Sequence, residues 1–186
     1  MITRFIQVYD ELLPSSRFEK IKQFADKVEF HEEVYEDDSF TISHSNRLNA
    51  VLTIALESCL NHTVTLYLGF LRLAAPDVDI KKRIHSDMMM QGRYACVYYI
   101  NTGSHVNGTK FYKHNKYGYR MPSKLSIAET NRVLSDESDK DSMWDEDITI
   151  NSRPNRLLIY ESDLFHAKFP SRCMSKRIVW VGFFDI

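Results

Sequence analysis

An α+β fold, with amphipathic helices supporting a β-barrel or sandwich, is predicted by three features of this 186-residue chain. Apolar residues recur at helical spacing as far as Leu60, the pattern turns strand-like from Thr63 onward, and the composition (44% hydrophobic, 12% aromatic) is that of a globular domain. One domain, 1–186, is expected, with 1–62 mainly helical support and 63–186 the β core.

The elements follow in order. Ser15 and Ser16 after Pro14 mark a helix start, and Phe18, Ile21, Phe24, Ala25 and Val28 recur at helical spacing behind them. An acidic stretch, His31 to Asp38, precedes a second helix from Asn46 to Leu60, striped by Leu48, Val51, Leu52, Ala55, Leu56 and Cys59. Strands are then expected around Val64–Leu68, Arg93–Ile100, Lys110–Tyr112, Arg156–Tyr160, Phe165–Phe169 and Arg177–Phe184. Between them, 115–147 reads as an inserted polar loop, because Pro122 to Asp147 is polar and its end, Asp136 to Asp147, sets seven carboxylates against Lys140 alone.

Size and charge narrow the function. A chain of this length buries a core without disulfides or a structural metal, so a metal would serve reactivity rather than folding. The formal charge of -1 argues against a general polyanion binder. Cys59, Cys96 and Cys173 form neither a CxxC pair nor a disulfide ladder and read as reduced thiols, which suggests a cytoplasmic protein. No membrane association is expected, since the longest apolar run, Leu66 to Ala75, is too short to span a bilayer and carries Arg72.

His85, Asp87, His166 and Arg177 are the candidate site residues. In extended backbone, residues two apart share a face, so His85 and Asp87 can offer a nitrogen and an oxygen to one ion while Ser86 points away. A His-x-Asp triplet is common by chance, and a third ligand must come from elsewhere. His166, in the apolar segment Leu164–Phe169, suits that part, although a core histidine satisfied by a backbone carbonyl is the competing reading. Two imidazoles and a carboxylate hold Fe(II) by one face and leave the other open. Arg177 opens an almost wholly apolar run and needs an anion, either a bound dicarboxylate gripped by paired hydrogen bonds or a remote Asp or Glu. A decoy, His31-x-Glu33, lies in a charged stretch before the strand pattern begins.

The order HSD (85–87), VYYIN (97–101), GTKFY (108–112), FHAKFP (165–170) and an arginine in the last strand resembles the 2-oxoglutarate/Fe(II)-dependent dioxygenases, in particular their prolyl-4-hydroxylase-like branch. The resemblance covers roughly 66–186. It implies a double-stranded β-helix, or jelly roll, with helices packed on one sheet. It implies further that His85, Asp87 and His166 bind Fe(II), that Arg177 pairs with the far carboxylate of the cosubstrate 2-oxoglutarate, and that Tyr99 reaches the same carboxylate. Dioxygen is the second cosubstrate. The implied activity couples oxidative decarboxylation of 2-oxoglutarate to hydroxylation of a small molecule or peptide side chain.

Some points of the pattern stay open. A register slip of one residue would exchange Tyr99 for Tyr98. Arg177 stands eleven positions after His166, further than the nine or so common in the branch, which calls for a bulge or longer turn near Ser171-Arg172-Cys173 and leaves Arg172 and Lys176 as substitutes. Gly108-Thr109 is similar to the end of the family's Gly-Gly-Thr turn, with Asn107 replacing the first glycine. Lys110, Lys113, Lys116 and Arg120 interleave with Phe111, Tyr112, Tyr117 and Tyr119, a mixture suited to nucleobases or an acidic peptide but favoured as a solvated strand. An oxidative nucleic-acid demethylase of the same superfamily is an alternative, although its Arg-x-Asn-x-Thr-Phe-Arg run is missing. A cupin-like binding barrel without catalysis is the alternative from another class.

Overall fold

The computed structural model describes residues 4–35, 38–76, 84–103, 106–170 and 172–186. Among these described residues, ten strands form two antiparallel sheets. In chain order they are β1 (Ile6–Tyr9), β2 (His31–Tyr35), β3 (Asp38–Ser43), β4 (Thr65–Ala74), β5 (Tyr94–Asn101), β6 (Gly108–His114), β7 (Trp144–Asn151), β8 (Arg156–Glu161), β9 (His166–Phe169) and β10 (Arg177–Asp185). The larger sheet runs β1-β8-β5-β10-β4-β3-β2 and the smaller β7-β6-β9. Helices α1 (Ser15–Lys27), α2 (Asn46–Leu60) and α3 (Ile127–Glu137) complete the described elements, with a short 3-10 turn at Asp141–Met143.

The two supporting helices form where their spacing predicts. Ser45 caps α2 by accepting from the Leu48 N–H (3.2 Å), and Asn61, in the left-handed conformation at φ 55°, ends it. Leu48, Leu52, Ala55 and Leu56 of α2 and Phe18, Ile21 and Ala25 of α1 are buried against Tyr98, Ile100, Ile159, Ile178, Trp180 and Phe184 on one face of the large sheet. Phe24, placed in the α1 stripe by spacing alone, is instead exposed. Fully buried Trp180 anchors this layer: its indole N–H donates to Asn49 Oδ1 (2.8 Å), whose amide donates on to the Gly69 carbonyl (3.0 Å). A Cβ at Gly69 would stand 2.8 Å from the Trp180 ring, so the indole fits only because that position lacks one.

The opposite face of the large sheet meets the small one. Ala95, Val97, Tyr99, Leu158, Tyr160, Val179 and Phe183 form a second apolar cluster with Phe111 of β6, and Ile148 and Ile150 of β7 pack against it. Period-two alternation produces both clusters at once, since Tyr94, Cys96 and Tyr98 project to the helices and Ala95, Val97 and Tyr99 to the other sheet.

Two parts of the expected layout need correction. Residues 1–62 are not only helical: they include β1, which pairs with β8, and the β2–β3 hairpin that extends the large sheet beyond β4. The acidity of His31–Asp38 concealed a solvated edge hairpin, the kind of strand that tolerates charge. The segment 115–147 is not a structureless loop. It contains α3, started by a capping box between Ser126 and Glu129, and the beginning of β7. Val133, Leu134 and Leu125 pack against the cluster of Tyr112, Trp144 and Phe165. Buried His114 fastens α3 to β6: its Nδ1 accepts from the Lys116 N–H (3.0 Å), and its Nε2 bonds Glu137 Oε2 (2.7 Å). Carboxylates on the outward faces of α3 and β7 gave this stretch its loop-like composition.

Asn155 joins the N-terminal segment to the sheet. It sits at φ 65°, its side-chain oxygen accepts from the Leu13 N–H (3.0 Å) and the Tyr98 hydroxyl (2.6 Å), and its amide donates to the Leu13 carbonyl (2.7 Å). Asn155→Ala removes three buried hydrogen bonds and puts a less tolerant residue in the left-handed region, so a loss of about 2–4 kcal/mol is expected in urea unfolding. A variant within about 0.5 kcal/mol of the parent would contradict this account.

Candidate metal centre

His166 begins β9, and its place is set by its backbone. His85 and His166 exchange both backbone hydrogen bonds, the His85 N–H to the His166 carbonyl (3.0 Å) and the His166 N–H to the His85 carbonyl (2.9 Å). Side chains of such a pair leave on the same side, and the two imidazole centroids lie 4.3 Å apart. Residues 85–87 were expected to be extended. They form only this isolated bridge, extended enough that Asp87 returns to the side of His85. Ser86 points away, its hydroxyl reaching the Ser162 carbonyl (3.4 Å), and buried Ile84 anchors the approach.

His85 Nε2 lies 3.7 Å from Asp87 Oδ1, and His166 Nε2 lies 3.3 Å from Asp87 Oδ2. One ligand atom from each of the three residues falls within 4.8 Å of the others. Bonds of about 2.1 Å to a divalent ion set ligand-to-ligand edges of roughly 3.0 Å at right angles and 3.4 Å at the tetrahedral angle. The His166–Asp87 edge falls in that range and the His85–Asp87 edge lies about 0.3 Å above it, each imidazole addressing a different carboxylate oxygen, so these three side chains could share a metal ion.

The surroundings prepare the donors for this task. The His166 Nδ1–H donates to the Leu164 carbonyl (2.9 Å), which turns Nε2 toward Asp87. The backbone carbonyl that would satisfy a plain core histidine is thus also what orients the His166 ring toward Asp87. Burial pushes the Asp87 carboxyl upward, but the neighbouring His166 and His85 and the Tyr160 hydroxyl outweigh it and hold the group below the usual carboxylate range. Tyr160 is buried beside it, 3.2 Å from Asp87 Oδ2 and 3.0 Å from His166 Nε2. Burial and the Asp87 charge push its phenol well above the ordinary value, so it remains a proton donor to this cluster.

Arg177 lies on the same inner face. It is 5% exposed, its guanidinium carbon stands 5.6 Å from the centre of the Tyr99 ring, and its Nη2 makes a long 3.5 Å hydrogen bond to the Gly108 carbonyl. Register decides between the tyrosines: Tyr99 pairs with Val179 on the inner face, whereas Tyr98 pairs with Trp180 among the helix-side residues. The Tyr99 hydroxyl meets the buried Thr109 hydroxyl at 2.8 Å. Burial raises the Tyr99 phenol, an effect that the Arg177 charge and the Thr109 bond reduce. The substitutes for Arg177 point elsewhere. Arg172 donates to the Pro76 carbonyl and Lys176 lies 3.9 Å from Asp26, while Ser171 lies outside the described residues.

Three residues around this site were absent from the sequence-derived set, namely Tyr160, Thr109 and Phe111. Phe111 pairs directly with His166, and its ring packs edge-on to Tyr160 at 5.2 Å. Alternation along Arg156–Tyr160 would have put Tyr160 and Leu158 on the inner face, but nothing in the sequence shows which face carries the site.

Two of the four charges of the basic and aromatic stretch, Lys110 and Arg120, are paired within the chain. Lys110 pairs with Glu146 at 2.7 Å, Arg120 bridges Glu161 (2.8 Å) and Asp163 (2.9 Å), and Phe111 and Tyr112 are buried. The three cysteines are free thiols. Among the described residues, no helix is long and apolar enough to cross a membrane.

The profile of a family of unknown function (DUF6445) matches residues 45–169, and the chain belongs to that family. The match takes in His85, Asp87 and His166 and stops before Arg177. No curated protein sequence matches the chain. Among solved structures, the chain is similar to SnoK, a non-heme alpha-ketoglutarate-dependent carbocyclase from nogalamycin biosynthesis (TM-score 0.66, 10% identity, 97% of this chain and 80% of that one). It is also similar to HygX from Streptomyces hygroscopicus with nickel and 2-oxoglutarate bound (0.63, 11%, 98% and 83%). A third is an oxidoreductase of the 2OG-Fe(II) oxygenase family from Burkholderia pseudomallei (0.59, 9%, 97% and 84%). At these identities the likeness is one of fold: a mixed α/β architecture with a large antiparallel sheet.

Proposed function

We propose that this protein is a non-haem Fe(II) oxygenase that uses 2-oxoglutarate and dioxygen, with His85, Asp87 and His166 holding the metal. The carrying observation is the convergence of two imidazoles and one carboxylate, with ligand spacing suited to a divalent ion, beside the apolar cluster between the sheets, on the inner face that also carries a buried arginine. The fold shared with HygX and SnoK, which are described as a nickel and 2-oxoglutarate complex and an alpha-ketoglutarate-dependent enzyme, supports this reading.

In this proposal Arg177 receives the far carboxylate of 2-oxoglutarate through parallel hydrogen bonds, and the Tyr99 and Thr109 hydroxyls complete the clamp. Thr109 stands two residues along β6 from Phe111, the residue paired with His166, a step of about 7 Å. That step suits the reach of a five-carbon keto-diacid placed between clamp and metal. Phe111, Val179 and Leu158 keep water from the space between. Tyr160 donates to the inner oxygen of Asp87 and fixes the carboxylate's rotation. Bound Fe(II) supplies the redox chemistry that couples decarboxylation of the cosubstrate to oxidation of the substrate.

Finer readings rest on the motif order HSD, GTKFY and FHAKFP, which supports the prolyl-4-hydroxylase-like branch, the double-stranded β-helix and hydroxylation as the outcome. The substrate class in this reading is a small molecule or peptide side chain. Nucleic acid is disfavoured by the internal pairing of Lys110 and Arg120. The test is anaerobic loading with Fe(II), followed by 2-oxoglutarate and oxygen, with succinate measured in the absence of a primary substrate. Slow, Fe(II)-dependent succinate release is expected. A protein that binds Fe(II) but releases no succinate over background would be a binding barrel, and the oxygenase reading would be lost.

A further inference from the structure

We propose that His31, Glu33 and His44 form a second divalent-metal site, separate from the centre at His85, Asp87 and His166. The decoy pair of the sequence acquires a third member through the hairpin. His31 and Glu33 are two apart on β2 and so share a face, while His44 follows the last residue of β3 and packs its ring against Phe70 at 6.1 Å. Both imidazoles converge on one carboxylate oxygen: His31 Nε2 and His44 Nε2 lie 3.1 Å and 3.4 Å from Glu33 Oε1. All three ligand atoms fit within 4.8 Å. These two edges fall between the octahedral and tetrahedral values of about 3.0 and 3.4 Å, a closer match than at the first centre.

The surroundings also suit an ion. The side chains are 56%, 36% and 46% exposed for His31, Glu33 and His44, so an ion reaches them directly from solvent and positions beyond the three donors stay open to water or another ligand. Two nitrogens and one oxygen favour Zn2+, Ni2+ or Cu2+ over Ca2+ or Mg2+. The ladder places the site on the large sheet's inner face. His31 pairs with Ile42, Ile42 with Arg72, and Arg72 with Val179, the neighbour of Tyr99. The second ion would therefore sit at the open edge of the surface that the first centre faces, two strands beyond β4, which pairs with the Arg177 strand.

The experiment uses the full chain and Ni2+ alone, with binding measured by equilibrium dialysis and elemental analysis. The parent is expected to take up two ions per chain, and His31→Ala with His44→Ala to take up one, with an unchanged unfolding midpoint because both side chains are exposed. His85→Ala with His166→Ala should also retain one ion, and in that variant Ni2+ should broaden the His31 and His44 ring signals in proton NMR. Retention of the parent's stoichiometry after both hairpin histidines are removed would overturn the proposal, as would unbroadened ring signals, in which case the three residues make a hydrogen-bonded cluster only. Failure of the oxygenase reading leaves this result untouched, because the readout is metal uptake at residues that reading does not use.

Discussion

His166→Ala is expected to abolish metal uptake at the His85–Asp87–His166 centre and, with it, Fe(II)-dependent conversion of 2-oxoglutarate to succinate. Two effects combine. The variant removes the one donor whose nitrogen is oriented by a backbone carbonyl, and it leaves His85 and Asp87, a pair 3.7 Å apart at the more exposed side of the cluster, to hold the ion alone. Loss of an outer hydrogen-bond partner costs a metal site roughly 10–100-fold in affinity, and loss of a direct ligand should exceed that. Stability should fall by only about 1–3 kcal/mol, the cost of unpairing the Leu164 carbonyl and vacating a small buried volume. Anaerobic Fe(II) titration beside urea unfolding separates the two effects. A folded variant with parental affinity at this centre would remove His166 from the ligand set.

Arg177→Ala is expected to give the complementary result, metal uptake retained and the requirement for 2-oxoglutarate raised by about 10²-fold, the scale of truncating one partner of a buried charge pair. Arg177→Lys should recover part of the loss, since an ammonium keeps the charge but cannot reproduce the parallel fork. Titration of 2-oxoglutarate into the Fe(II)- or Ni2+-loaded protein measures this without turnover. Equal loss of metal in the Arg177 and His166 variants would refute the division of roles.

Much of this arrangement was legible in the residues. The α2 stripe gave both ends of that helix, because a Ser cap and a left-handed Asn bracket an uninterrupted apolar period. HSD and FHAKFP supplied three side chains that the structure brings together, and alternation along Tyr94–Asn101 placed Tyr99 and Tyr98 on opposite faces. What sequence could not decide was which face met the small sheet, since that depends on β10 pairing across Val179 and Trp180. The β2–β3 hairpin, α3 and β7 were hidden for a common reason. Each packs only one side, and the carboxylates on the other gave the composition of a loop. His44 was invisible as a neighbour of His31 and Glu33 because their meeting depends on that hairpin.

The mutual backbone bonds of His85 and His166 have a thermodynamic consequence. Two donors eighty-one positions apart in the chain are fastened to each other by folding, so the entropy of gathering them is spent before any ion arrives. A centre preorganised in this way converts nearly all of its coordination energy into affinity and returns it as resistance to unfolding, so the melting temperature should climb with the logarithm of free metal once the ion exceeds its dissociation constant.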